Sequence, residues 1–325
     1  MAGHRGKFKK LRIKSHPHAW LGGKKSWLVR NLQLYANAGD RDKSKKHKGK
    51  SPLSWFGGKS WLAKDIEQYT PSHKTYVEPF AGAAHVFFRK ERSDVEVLND
   101  MDAGLINFYR TLIFPDRFSK FQRMIKLTPY SRELFKECQA NWHKYEDPVE
   151  RAWAWYVNHR QAWNGMPDKC WSTTPTKSCR GVAASVARYL SAIEVLPEAC
   201  ERLKGVEIEN RDFRDVVISC DGPRTWFYAD PPYVHNTRSS GGYACEMSDG
   251  EHLDLVYLLL RIEGMCLLSG YDTDIYQPLE SEGWGRKVLR MYSQTGRGFR
   301  EENLWFSPNL LSALWKEGKC LEMKI

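Results

Sequence analysis

Residues 226–233 read Trp-Phe-Tyr-Ala-Asp-Pro-Pro-Tyr, and the architecture turns on them. The four apolar residues 226–229 make a short run suited to a buried strand. Two prolines follow Asp230. Neither has an N–H for a ladder, so the strand stops and hands the chain to a stiff loop. The carboxylate of Asp230 and the ring of Tyr233 are thereby left at the carboxyl end of a strand, where open α/β sheets bind ligands. An acid, the backbone carbonyl of Pro231 and a flat ring together suit a planar substrate that carries an amino group.

Outward from this stretch, further strands are expected at residues 75–78, 95–98, 206–208 and 265–268, alternating with helical patterns. Residues Leu105, Ile106 and Tyr109 fit a helix after the second strand. Ser248 and Glu251 form a capping box, after which Leu253, Val256, Tyr257 and Leu260 are read as the buried helix face. Such alternation predicts an α/β fold, a Rossmann-like doubly wound and mainly parallel sheet with helices on both faces. Residues 115–203 interrupt the rhythm. A helix capped by Ser131, a second from Pro148 to about Trp163, and a polar loop over 170–180 read as an inserted, mainly helical subdomain. Most of the thirteen tryptophans, Trp153 and Trp155 among them, read as core.

The chain has 325 residues, 42% of them hydrophobic, enough to build a real core. The net charge of +11 is uneven: residues 1–50 hold fifteen Lys and Arg against Asp40 and Asp42. The remainder is therefore slightly acidic. The basic segment reads as an arm that adds salt-sensitive affinity for nucleic acid, or else as a solvated tail. Residues 38–51 are polar and read as a linker. The segment around Trp20 to Trp27 imperfectly echoes Trp55-Phe56-Gly57-Gly58-Lys59-Ser60-Trp61. No apolar signal stretch and no run of eighteen apolar residues is present, so a cytoplasmic chain with no membrane partner is expected. The eight cysteines form no Cys-x-x-Cys pair, so free thiols and no metal are expected.

Three loops combine these readings. Glu78-Pro79-Phe80-Ala81-Gly82-Ala83-Ala84 follows the first strand, and its small residues allow close approach to the backbone. Asn99-Asp100 follows the second, where doubly wound folds place an acid for ribose hydroxyls. Asp230 to Tyr233 follows the fourth. In this order, and with Trp55-x-Gly57-Gly58-Lys59 ahead of them, the motifs resemble those of Dam-type, α-class DNA adenine N6-methyltransferases. The resemblance covers roughly residues 52–310.

It implies a restriction-modification-type enzyme that transfers a methyl group from S-adenosylmethionine to an adenine flipped out of double-stranded DNA. It implies a division into a basic extension and linker (1–51), a cofactor-binding part (52–114), a target-recognition insert (115–203) and a catalytic part (204–325). The catalytic residues would be Asp230, Pro231, Pro232 and Tyr233. Trp55, Lys59, Glu78, Phe80, Gly82, Asp100, Asp212 and Phe213 would hold the cofactor. Arg160, Trp163 and Asn164, in a stretch like the family's Arg-x-x-aromatic-Asn-Gly, would meet DNA together with Lys177, Arg180 and Arg297. A helix end closed by Asn-Gly is the plainer reading of 160–165. Ser269-Gly270-Tyr271-Asp272 resembles a family segment that faces the target base. Two departures stand out: His159 replaces an asparagine, and Ala84 replaces a glycine, which predicts altered loop packing. RNA as the substrate, or a relative that binds nucleic acid without catalysis, are the alternatives.

Overall fold

The computed structural model describes residues 49–55, 60–234, 245–293 and 298–319. The echo near residue 20, most of the linker, Lys59 and Arg297 lie outside the described residues. A boundary between Lys46 and His47 sets the amino-terminal segment apart from the unit that carries the sheet.

The strands in chain order are β1 (Thr75–Glu78), β2 (Val95–Asn99), the short pair β3 (Ser178–Cys179) and β4 (Val182–Ala183), then β5 (Glu207–Glu209), β6 (Thr225–Ala229), β7 (Met265–Gly270), β8 (Gly285–Ser293) and β9 (Gly298–Phe306). Seven of them form one sheet in the order β5-β2-β1-β6-β7-β9-β8. β5, β2, β1, β6 and β7 run parallel, with Val77 opposite both Val97 and Phe227. β9 is antiparallel to β7, and β8 to β9. The order reverses at β1, so a crevice opens between the carboxyl ends of β1 and β6.

Alternation along the strands fills two cores. Tyr76, Trp226 and Tyr228 face one; Val77, Phe227 and Ala229 face the other. β6 and β7 are buried along their whole length, as expected for strands covered on both faces. The third strand is one residue later than expected, at Glu207–Glu209. β8 and β9 were not expected. Their charged residues interrupt any apolar run, because this antiparallel edge is partly solvated.

Twelve α-helices lie among the described residues. α1 (Ala63–Glu67), α2 (His85–Arg89) and α3 (Ala103–Ile113) precede residues 115–203, which contain α4 (Pro115–Leu127), α5 (Arg132–Asn141), α6 (Pro148–Gln161), α7 (Ala184–Glu194) and α8 (Leu196–Leu203). α9 (Phe213–Cys220), α10 (Asp249–Leu259), α11 (Gln277–Ser281) and α12 (Pro308–Lys316) follow. Ser131 accepts from the Leu134 N–H at the start of α5, and Ser248 with Glu251 closes the capping box of α10. The buried face of α10 is His252, Leu255, Val256 and Leu259. Leu253 and Tyr257 are exposed, against the expected face. This helix is apolar nearly all round, so two stripes fit its spacing. A hydrogen bond between His252 and the Tyr276 hydroxyl marks the stripe that is buried.

One buried ion cluster locks α8 to β2. Glu96 accepts from Arg202 through both oxygens, at 2.5 and 2.7 Å, and from Lys90 at 2.7 Å. Burial works against the Glu96 charge, yet Arg202 and Lys90 bring its carboxyl down to about 2. Removing one member would strand the others in a dry interior, which typically costs about 3–5 kcal/mol.

Candidate active site

The crevice opens into a cavity enclosing about 1090 Å³ of empty space, part of it open to solvent. Its floor is the loop after β1. Ala81 N–H donates to the Asn99 carbonyl, Gly82 N–H to Asp100 Oδ2 at 2.8 Å, and the Tyr109 hydroxyl to the Gly82 carbonyl at 2.7 Å. Gly82 has φ +47, and a β-carbon there would lie 2.9 Å from Nε1 of Trp55. Glycine is thus required both by conformation and by space. Ala84 has φ +50 as the N-cap residue of α2, a left-handed conformation that disfavours an L side chain. Its substitution for glycine therefore shows as backbone strain.

Asn99 is the tie that the sequence pattern did not single out. Its buried amide donates to the Pro79 and Arg211 carbonyls and accepts from the Arg211 N–H. One side chain thus joins the loops after β1, β2 and β5. Local spacing marked Asn99 only as a helix start; its partners lie 20 and 112 residues away.

The walls are acidic. Glu78, Asp100, Asp102, Asp212, Asp230, Glu246 and Glu251 line the cavity, and no described lysine or arginine does. Burial pushes the Glu78 carboxyl up to about 8, against bonds from the Tyr76 hydroxyl and Phe87 N–H. Burial likewise raises Asp100 to about 6. His85, also in the wall, is held down to about 4 by burial and then by the charge of Arg160, so it stays neutral. Phe80 and Phe213 pack against each other as an apolar patch of the wall, with ring centroids 5.1 Å apart and planes tilted by 40°. Asp212 caps α9 and is bonded by Arg214. Trp55 stacks on His159, which in turn stacks on Trp155. No group of three or more His, Cys, Asp and Glu among the described residues is arranged to hold a metal ion.

Asp230 and Pro232 line the β6 side, while Pro231 and Tyr233 are buried. Asp230 Oδ1 accepts from Ser269 Oγ at 2.9 Å, and Ser269 is within 3.2 Å of the Tyr228 hydroxyl. Tyr233 packs against Tyr271, with ring centroids 4.2 Å apart and planes tilted by 32°.

Of the residues expected at the cofactor, Trp55, Glu78, Phe80, Gly82, Asp100, Asp212 and Phe213 share this cavity. The described residues expected at DNA, Arg160, Trp163, Asn164, Lys177 and Arg180, do not line it. Trp163, Asn164, Lys177 and Arg180 are exposed. Arg180 and Gly181, with φ +54 and +78, make the tip of the β3–β4 hairpin. Arg160 is half-buried and donates to the Arg188 carbonyl.

Comparison with known proteins matches residues 55–284 to the D12 class N6 adenine-specific DNA methyltransferase family. That span is more than two thirds of the chain. The chain belongs to the D12 class. Among similar proteins, the DNA adenine methylase of Escherichia coli (strain K12) is 29% identical over 37% of this chain and 43% of its own length. The DNA adenine methylase of Vibrio cholerae serotype O1 (strain ATCC 39315 / El Tor Inaba N16961) is 30% identical over 35% of this chain and 42% of its own. The match to these methylases therefore spans less than half of their length. The Type II methyltransferase M.CviBI of Paramecium bursaria Chlorella virus NC1A is 26% identical over 70% of this chain and 85% of its own. No helix among the described residues of this D12-class chain is long and apolar enough to cross a membrane.

Proposed function

We propose that this chain transfers a methyl group from S-adenosylmethionine to the N6 amino group of an adenine extruded from double-stranded DNA. The carrying observation is the acidic cavity at the reversal point of the sheet, with Asp230 on its β6 wall. Among the described residues the walls are rich in carboxylates and carry no lysine or arginine, which favours a cationic organic ligand over a pyrophosphate. That separates this site from the dinucleotide sites of other doubly wound folds.

Bound there, the cofactor supplies a methyl group activated by a sulfonium charge. The chain's own residues do the rest. The apolar patch of Phe80 and Phe213 would border the flat adenine ring of the cofactor, and Asp100 would meet its ribose hydroxyls. Asp212 and the Phe213 N–H would serve its adenine edge. Glu78 and the pinned loop 80–84 face its cationic end.

On the target side, the lone pair of an adenine N6 is delocalised into the ring. The Asp230 carboxylate and the Pro231 carbonyl can each accept one of its two N–H bonds. That pulls the nitrogen towards tetrahedral and directs its lone pair at the methyl carbon. Positive charge developing on N6 meets a fixed acceptor, so little reorganisation is needed during transfer. Ser269 holds one oxygen of Asp230. Tyr233 gives the extruded base a surface for stacking. Exposed Trp163, Asn164, Lys177 and Arg180, with Arg160 and the loop at Arg297, would track the duplex, where phosphate contacts position and base contacts specify.

The test is incubation of the full chain with methyl-labelled S-adenosylmethionine and unmethylated duplex DNA, followed by digestion to nucleosides. Label in N6-methyladenine is expected. Label confined to RNA in a parallel reaction, or absent from both, would overturn the reading.

A further inference from the structure

Glu302 lies in no motif and is not part of the cavity wall, yet its side chain is 5% exposed. β7 pairs with β9 only as far as Gly270 opposite Asn303, whereas β8 and β9 continue together to Ser293 opposite Gly298. The two strands therefore overhang the carboxyl end of β7 as a ribbon of roughly 17 Å. Glu302 is the first β9 residue of that overhang. Both its oxygens accept from the Tyr233 hydroxyl, at 3.1 and 3.0 Å.

We propose that Glu302 is a positioning residue for the target adenine, acting through Tyr233; this rests on the methyl-transfer reading above. The one phenol proton is shared between the two carboxylate oxygens of Glu302. This contact fixes the tip of the ring. Tyr271, packed at 4.2 Å with its ring tilted by 32°, confines one face. The turn bearing Tyr271 is itself held to β8 and β9, because Arg286 bonds Asp272 at 2.6 Å and Asn303 at 2.9 Å. A ring held at its tip and against one face offers only the opposite face to a planar base.

The test compares Glu302→Ala, Glu302→Gln, Tyr233→Phe and the Glu302→Ala/Tyr233→Phe double variant in the full chain. The measurements are kcat and KM for unmethylated duplex DNA, with S-adenosylmethionine affinity and melting temperature taken alongside. Loss of one ordering contact to a stacked base predicts a fall in kcat/KM for DNA of about tenfold or more for Glu302→Ala and Tyr233→Phe. The double variant should be no worse than either single one. Glu302→Gln, which can still accept the phenol proton, should recover most of the activity, and cofactor affinity should hold within about twofold in every variant. Losses that multiply in the double variant would show that Glu302 does not work through Tyr233. A parallel collapse of cofactor affinity and melting temperature in both Glu302 variants would reduce it to a structural role. Wild-type protein that labels no DNA would remove the methyl-transfer reading itself, and this proposal with it.

Discussion

On the β1–β2–β5 side of the crevice, side chains hold backbone; on the β6–β7–β9 side, side chains hold one another. Asn99, Asp100 and Asp102 together take five backbone N–H groups, and Asn99 also donates to two carbonyls. Across the crevice, Ser269 bonds Asp230, Glu302 bonds Tyr233 and Tyr271 packs against it. On the proposed reading the first half would shape main chain to one constant small molecule, and the second would hold individual reactive groups on a rigid strand. Damage to the first should therefore appear as lost fold and cofactor affinity, and damage to the second as lost rate.

The sharpest contrast is Asp230→Ala. Removing the acceptor from N6 should cut methyl transfer by on the order of 10²–10³-fold while S-adenosylmethionine affinity changes little. Activity close to that of the wild type would break the assignment of the β6 half to chemistry. Asn99→Ala should do the reverse. It leaves buried backbone groups of two loops unpaired, at about 1–3 kcal/mol for each group. Both a lower melting temperature and weaker cofactor binding are expected by calorimetry; a pure rate effect would erase the distinction between the halves.

A third test uses pH. The carboxyl of folded Glu78 sits near 8, above its ordinary 4.5, because burial opposes its charge. The native state therefore binds more protons than the unfolded chain between about pH 4.5 and 8, and stability without ligand should fall as pH rises through that window. A cationic ligand favours the ionised form, so its binding should tighten over the upper part of the same window, by at most about tenfold per pH unit. Glu78→Gln should flatten both profiles; an unchanged slope would place the titration elsewhere. The smallest effect is expected at Ala84. Glycine there relieves left-handed strain of about 1–2 kcal/mol and loses part of that to greater unfolded-state entropy. A net gain under about 1 kcal/mol in denaturant melts should result.

Much of the parallel sheet was legible because its strands are short apolar runs ended by Pro, Gly or Asn-Asp, and hairpin-free alternation admits few topologies. The positions of the loop after β1 and of Asp230 were legible for the same reason: they lie where such strands stop. The β8–β9 ribbon was not, since Arg286, Lys287 and Arg290 interrupt its pattern on a partly solvated edge. Nor were the roles of Asn99, Ser269 and Glu302, whose partners lie 20 to 112 residues away and follow from topology rather than spacing. The misread face of α10 shows the opposite limit, where an excess of apolar residues leaves periodicity without a preference.

Trp55 and Gly82 meet so closely that neither position can drift alone. An indole at 55 forbids a β-carbon at 82, and the hydrogen at 82 is what lets the ring lie flat beneath the loop. Across related chains the two sites should change as a pair. A natural sequence keeping both the tryptophan and a larger residue at 82, in the same left-handed turn, would contradict that evolutionary coupling.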